Sequence, residues 1–179
     1  TMPGDEVVGN KGRSFDLVVV GLPIRGAVTP SRSRLESAIF DSGRLTLIAP
    51  PQSPTTLGES IIIAWNRSTE TARTVALSMP FLQQANKVIV LSVEGYGVTG
   101  PSSAEVTQNL IRNNIPAQEK KVSRGDRTIA QAILEETMSN GGDLLIKGAY
   151  THSRLRQMIF GGVTNEILTT SALPILMAH

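Results

Sequence analysis

Seven short runs of strand length, six of them rich in Val, Ile and Leu, recur along the chain, and their spacing limits the fold more than any other feature. They are DLVVVG (16–21), RLTLIAP (44–50), SIIIAW (60–65), KVIVLSV (87–93), AQEKKV (117–122), DLLIKG (143–148) and PILMA (174–178). All but the fifth are almost continuously apolar, which suits strands covered on both faces in a parallel sheet. The segments between them read as helices. STETARTVALSMPFLQQ has an N-cap at Ser68 or Thr69, with Ala72, Val75 and Ala76 at helical spacing. SSAEVTQNLIRNN and RTIAQAILEETMSN follow the same pattern, and Asn140-Gly141-Gly142 stops the second. Strand alternating with helix predicts right-handed crossovers and an α/β fold.

Part of this pattern occurs twice. Residues 15–21, FDLVVVG, align with 142–148, GDLLIKG, and residues 33–50 align without gaps to 161–178. In each pair a strand leads through a loop and a helix, with Ile39 or Ile167 inward, to a final strand. The division expected is a partial strand-helix-strand half-unit over 1–52 and a complete unit over 59–179. The linker between them, PPQSPTTLGE, is rich in Pro, Thr and Gly.

Composition excludes several classes of function. The 179 residues contain no cysteine, which removes disulfides, thiolate metal sites and thiol catalysis. A net charge of +2, with no basic cluster interleaved with aromatics, gives no nucleic-acid footprint. No apolar run approaches the roughly 20 residues of a membrane span, and TMPGDEVVGNKG lacks the apolar centre of a signal peptide, so a cytoplasmic location is expected. His152 and His179 are the two histidines, neither with a second ligand at metal spacing. No G-x-S-x-G elbow and no Walker A loop are present, so no catalytic constellation is expected.

Four stretches in order resemble the universal stress protein family: IIIAWNRSTETARTVALSMPFL, KVIVLSV, RGDRTIAQAILEE, and GDLLIKGAYTHSRLRQMIFGGVTNEILTTSALPILMAH. With the leading half-unit, the resemblance is to the tandem-domain members. It implies a Rossmann-like, adenine-nucleotide-hydrolase-like unit: a five-stranded parallel sheet with helices on both faces. It also implies a stress-response module that binds ATP, with magnesium accompanying it, through a G-x2-G-x9-G-[S/T] loop. On this chain the loop falls on Gly148, Thr151, Gly161 and Gly162, with threonine at the second glycine position and glycine at the final Ser/Thr position. An acidic residue after the first strand is replaced by Asn66, whose amide offers a different donor and acceptor set to a base or ribose. The resemblance further implies a homodimer through the last strand, Pro174, Ile175, Leu176 and Met177. Pairing of that strand within the chain with Leu45–Ala49 is the alternative.

Read without the family, the same loop is an anion site by position. Gly148 ends a strand at the carboxyl edge of the sheet, where open α/β sheets bind ligands. Gly161, Gly162, Val163 and Thr164 open the last helix, whose free amides and dipole favour an anion. Lys147, His152, Arg154 and Arg156 supply positive charge, and Thr164 a hydroxyl. The half-unit has Ser33-Arg34 where the complete unit has Gly161-Gly162, so no nucleotide is expected there. A second glycine pattern, Gly95, Gly97 and Gly100, formally reads G-x-G-x-x-G. It follows the second strand of its unit, and Pro101 interrupts the helix it would open, so a flexible loop is expected. Two functions from different classes stand: a nucleotide-binding stress module with at most slow ATP hydrolysis, and a nucleotide-free dimeric interaction module.

Overall fold

The computed structural model describes residues 4–22, 32–149 and 162–179. In chain order these form α1 (Gly4–Gly12), β1 (Leu17–Gly21), α2 (Arg32–Asp41), β2 (Leu45–Ala49), β3 (Ser60–Ala64), α3 (Thr69–Leu77) and α4 (Met79–Leu82). They continue with β4 (Lys87–Val93), α5 (Ser103–Arg112), β5 (Ala117–Val122), α6 (Ile129–Ser139), β6 (Leu144–Ile146), α7 (Gly162–Thr170) and β7 (Ile175–Met177).

All seven strands lie in one sheet, ordered β1-β2-β7-β6-β3-β4-β5. The expected five-stranded parallel unit is the stretch β7-β6-β3-β4-β5, in which every neighbouring pair is parallel. The leading pair, β1 and β2, is parallel within itself and joins the unit through β2, which runs antiparallel to β7 with Leu47 opposite Leu176. The strand count of one sheet is therefore seven rather than five. β7 is flanked by β6 on one side and β2 on the other. A homodimer through Pro174–Met177 would find no free backbone edge, because Leu45–Ala49 already occupies it.

Three helices start where a side chain satisfies their first amides. Ser68 Oγ accepts from Thr71 N at 3.2 Å to cap α3. Ser102 with Glu105, and Thr128 with Gln131, form reciprocal capping boxes on α5 and α6. The segment read as one helix over STETARTVALSMPFLQQ is two, because α3 ends at Ser78 and Pro80 opens the short α4. α1 was not expected at all. Its apolar residues are only Val7 and Val8, too few for a periodic face. Gly9 lies so close to α2 that a Cβ there would come within 2.6 Å of Asp41 Cβ and Ser37 Oγ. Close backbone approach, invisible in the hydrophobic pattern, holds this helix.

The sheet divides the core in two. One cluster, including Ile62, Leu91, Ile133, Leu145 and Ile167, lies under α2, α6 and α7. The other, including Ile61, Val75, Val90, Leu110 and Ile146, lies under α3, α4 and α5. Asp143 fastens the start of β3, its carboxylate accepting from the amides of Gly58, Glu59 and Ser60 at 3.0–3.1 Å. β5 is an edge strand with an exposed, charged sequence, the usual protection against further pairing. No helix among the described residues is long and apolar enough to cross a membrane.

Candidate functional site

From β3 the chain passes to β4 on one side, while β6 lies on its other side, so the strand order reverses between β3 and β6. The crevice outside the carboxyl ends of these strands is where an open α/β sheet places a ligand. Asn66 follows β3, Gly148 follows β6, and the first turn of α7 stands nearby. Thr151, His152, Arg154 and Gly161, with Arg156, lie outside the described residues.

Asn66 is 3% exposed. Its Oδ1 accepts from Ser68 N at 3.2 Å and from Thr71 Oγ1 at 2.5 Å, and its carbonyl accepts from Val98 N at 3.0 Å. The amide oxygen therefore shapes the entry to α3. Arg67, at φ 67°, makes the left-handed step between Asn66 and the Ser68 cap. Gly148 is also occupied. A Cβ on it would meet the backbone nitrogen of Thr71, with Thr71 Oγ1 at 2.5 Å and Glu70 C at 2.8 Å. The bare α-carbon admits the first turn of α3, where the sequence suggested an approaching ligand.

Lys147, read from the sequence as positive charge for an anion, is held inside the protein. It is 3% exposed, and its Nζ donates to Thr164 Oγ1 at 2.7 Å and to the Gly148 carbonyl at 2.9 Å. Burial lowers its pKa to about 7. The lysine thus ties the end of β6 to the first turn of α7, with Thr164 buried as the acceptor. Val163 packs against the core beneath. Gly162, the first residue of α7, faces open space, with nothing within 4 Å of where a Cβ would stand. The structure thus brings Lys147, Gly148 and Thr164 together beside the first turn of α7.

The Gly95–Gly100 segment is not a loose loop. A Cβ on Gly97 would lie 2.8 Å from the Asn66 carbonyl oxygen, and one on Gly100 would lie 2.7 Å from that of Arg67. The Trp65 indole also donates to the Pro101 carbonyl at 2.9 Å. These glycines let the loop lie against the end of β3, which explains them without a dinucleotide. The loop borders a cleft of about 850 Å³, lined by Arg67, Glu94, Tyr96, Lys121 and Ser123 among others. The Tyr96 ring packs on the core, and its hydroxyl is buried with no hydrogen-bond partner among the described residues. That burial pushes its pKa up. Tyr96→Phe removes an unsatisfied hydroxyl and is expected to stabilise the protein by about 1 kcal/mol in urea denaturation. A loss of stability would mean that the hydroxyl has a partner in solution.

His179 is also held more than its terminal position suggested. Its ring meets Phe40 edge-on at 4.8 Å, and its carbonyl accepts from Arg73 Nη1 at 2.6 Å. No sequence signal marked these contacts.

A model of the universal stress protein family matches residues 67–179. The chain belongs to the universal stress protein family. Solved structures agree in fold. A universal stress protein from Archaeoglobus fulgidus DSM 4304 superposes with a TM-score of 0.69 at 15% identity, covering 97% of this chain and 63% of its own. A second structure of a universal stress protein from Archaeoglobus fulgidus gives 0.50 at 14% identity, covering 67% of this chain and 94% of its own. A functionally unknown protein from Pseudomonas aeruginosa PAO1 gives 0.61 at 10% identity, covering 99% and 68%. This universal stress protein chain thus spans less than two thirds of the length of the first of these structures. No curated protein sequence matches it.

Proposed function

We propose that this chain is a nucleotide-responsive stress module that takes an adenine nucleotide such as ATP, with its magnesium, in the crevice between β3, β6 and the start of α7. One observation carries the reading: α7 begins at Gly162, where nothing among the described residues lies within 4 Å of where a Cβ would stand, at the strand-order reversal of the sheet. The amides of Gly162 and Val163, at the positive end of the helix, suit a phosphate. Family membership supports the choice of ligand. In this reading Gly161, Thr151, His152 and Arg154 complete the phosphate loop, and Asn66 borders the base or ribose. This reading assigns no catalytic residue, and any hydrolysis in it is slow and incidental.

Affinity is expected to be weak. Asn66 Oδ1 and the space beside Gly148 are already used within the protein. Calorimetry with ATP and magnesium should give a Kd on the order of 0.1 mM. Gly162→Asp adds a carboxylate where a phosphate would sit, in open space, and acidic residues favour a helix start, so the fold should persist. It should weaken binding at least about tenfold, which is about 1.4 kcal/mol. Absence of heat from the unmutated protein at millimolar ATP would sink the reading. The nucleotide-free interaction module would then stand in its place.

A further inference from the structure

We propose that Arg67 selects adenine nucleotides that carry a second phosphate, on the ribose 2′ or 3′ oxygen, and seats that phosphate in the cleft between the chain after β3 and the carboxyl ends of β4 and β5. The inference rests on the adenine-nucleotide reading of the site and names a narrower class of ligand for it. The cleft has a volume of about 850 Å³ and is lined by Arg67, Glu94, Lys121 and Ser123 among others. Arg67 follows Asn66, the residue placed at the base or ribose. Consecutive α-carbons lie about 3.8 Å apart, so a guanidinium on Arg67 is within reach of a group attached to that ribose.

The backbone of Arg67 is left-handed, at φ 67°, a conformation that glycine takes freely and other residues adopt at a cost. The other non-glycine residue with a positive φ among the described residues is Asn114, a type that tolerates it well. The step from β3 to the Ser68 cap needs only a backbone, so an arginine held there against that cost is explained by its side chain. That side chain is exposed, and its guanidinium has no hydrogen bond or ion pair among the described residues. Asn66, by contrast, has its acceptors in use. Its Oδ1 accepts from Ser68 N and Thr71 Oγ1, and its backbone carbonyl accepts from Val98 N. A free ribose hydroxyl therefore finds no acceptor for its hydrogen at Asn66, whereas a phosphate brings acceptors to an arginine that offers only donors. The opposite wall is matched in charge within itself. Lys121 Nζ lies 3.0 Å from Glu119 Oε1, and Ser123 Oγ donates to Glu94 Oε2 at 2.7 Å. Glu94 is thus held against the chain after β5, and Arg67 is the cation that the cleft leaves for a ligand.

Calorimetry compares AMP with adenosine 2′,5′-bisphosphate and adenosine 3′,5′-bisphosphate, and ATP serves as the reference for the site. One of the two bisphosphates is expected to bind at least about tenfold more tightly than AMP. Glycine suits the left-handed φ of this position, so Arg67→Gly should keep the fold, and it should bring that ratio to about one. Equal binding of AMP and both bisphosphates by the unmutated protein would overturn the proposal and leave the adenine-nucleotide reading standing. A preference that survives Arg67→Gly would overturn it as well, because another cation would then hold the second phosphate. Absence of heat from AMP, both bisphosphates and ATP at millimolar concentration would overturn the proposal together with that reading.

Discussion

Gly148→Val is expected to cost about 2–4 kcal/mol in urea denaturation, against about 5–15 kcal/mol for a whole domain. The group in the way is the peptide backbone of Glu70 and Thr71, which has no rotamer to change. Accommodating a Cβ means moving the first turn of α3, and that turn is fixed from several directions. Thr71 Oγ1 donates to Asn66 Oδ1 at 2.5 Å, Thr71 N to Ser68 Oγ at 3.2 Å, and Ala178 N to Thr74 Oγ1 at 3.1 Å. Overpacking alone costs about 1–3 kcal/mol, and loss of the Ser68 cap adds about 1. Gly162→Val is the matched control. It meets nothing within 4 Å and should change stability by less than about 0.5 kcal/mol. Equal stability of the two variants would show that Gly148 is there for another reason.

The same glycine shows how far the sequence could be read. The strand-ending glycines, the apolar runs and the capping residues are local signals, so all seven strands and the starts of α3, α5 and α6 could be placed from them. Contacts between distant segments left no such trace. Nothing near Gly148 announces that Thr71 fills its space, and nothing near Gly9 announces that α2 lies against it. The family resemblance puts Asn66 near a base or ribose, and in the fold its side-chain amide oxygen Oδ1 accepts from the backbone N–H of Ser68, two residues on. Gly97 and Gly100 imitated a dinucleotide fingerprint for the same reason, since close approach to backbone selects glycine whether a ligand or a neighbouring strand supplies the backbone. Residue type recorded the tight spot, while the identity of what occupies it needed the fold.

Lys147 carries the second large effect, and its direction depends on pH. In the unfolded chain the amine titrates near 10.5, whereas burial lowers it to about 7 in the folded protein. Below pH 7 both states hold the proton, and the folded state bears the full cost of a buried charge beside the positive end of α7. Between the two values the unfolded chain holds a proton that the folded protein has released, so stability rises with pH. Above about 10.5 the cost is gone. At about 1.4 kcal/mol per unit, its full size is on the order of 5 kcal/mol. Lys147→Met keeps the unbranched stem and removes the charge, but leaves Thr164 Oγ1 and the Gly148 carbonyl without their donor. Those losses are worth about 1–3 kcal/mol. The two effects oppose each other and only one depends on pH, so the stability curves should cross. At pH 6 the methionine variant should be more stable by about 2–4 kcal/mol, and at pH 10 the lysine protein should be the more stable. Urea denaturation of both proteins at pH 6, 8 and 10 reads this directly. Parallel curves across that range would mean that Lys147 reaches water in the folded state, and that the end of β6 is not clasped to α7 by a buried amine.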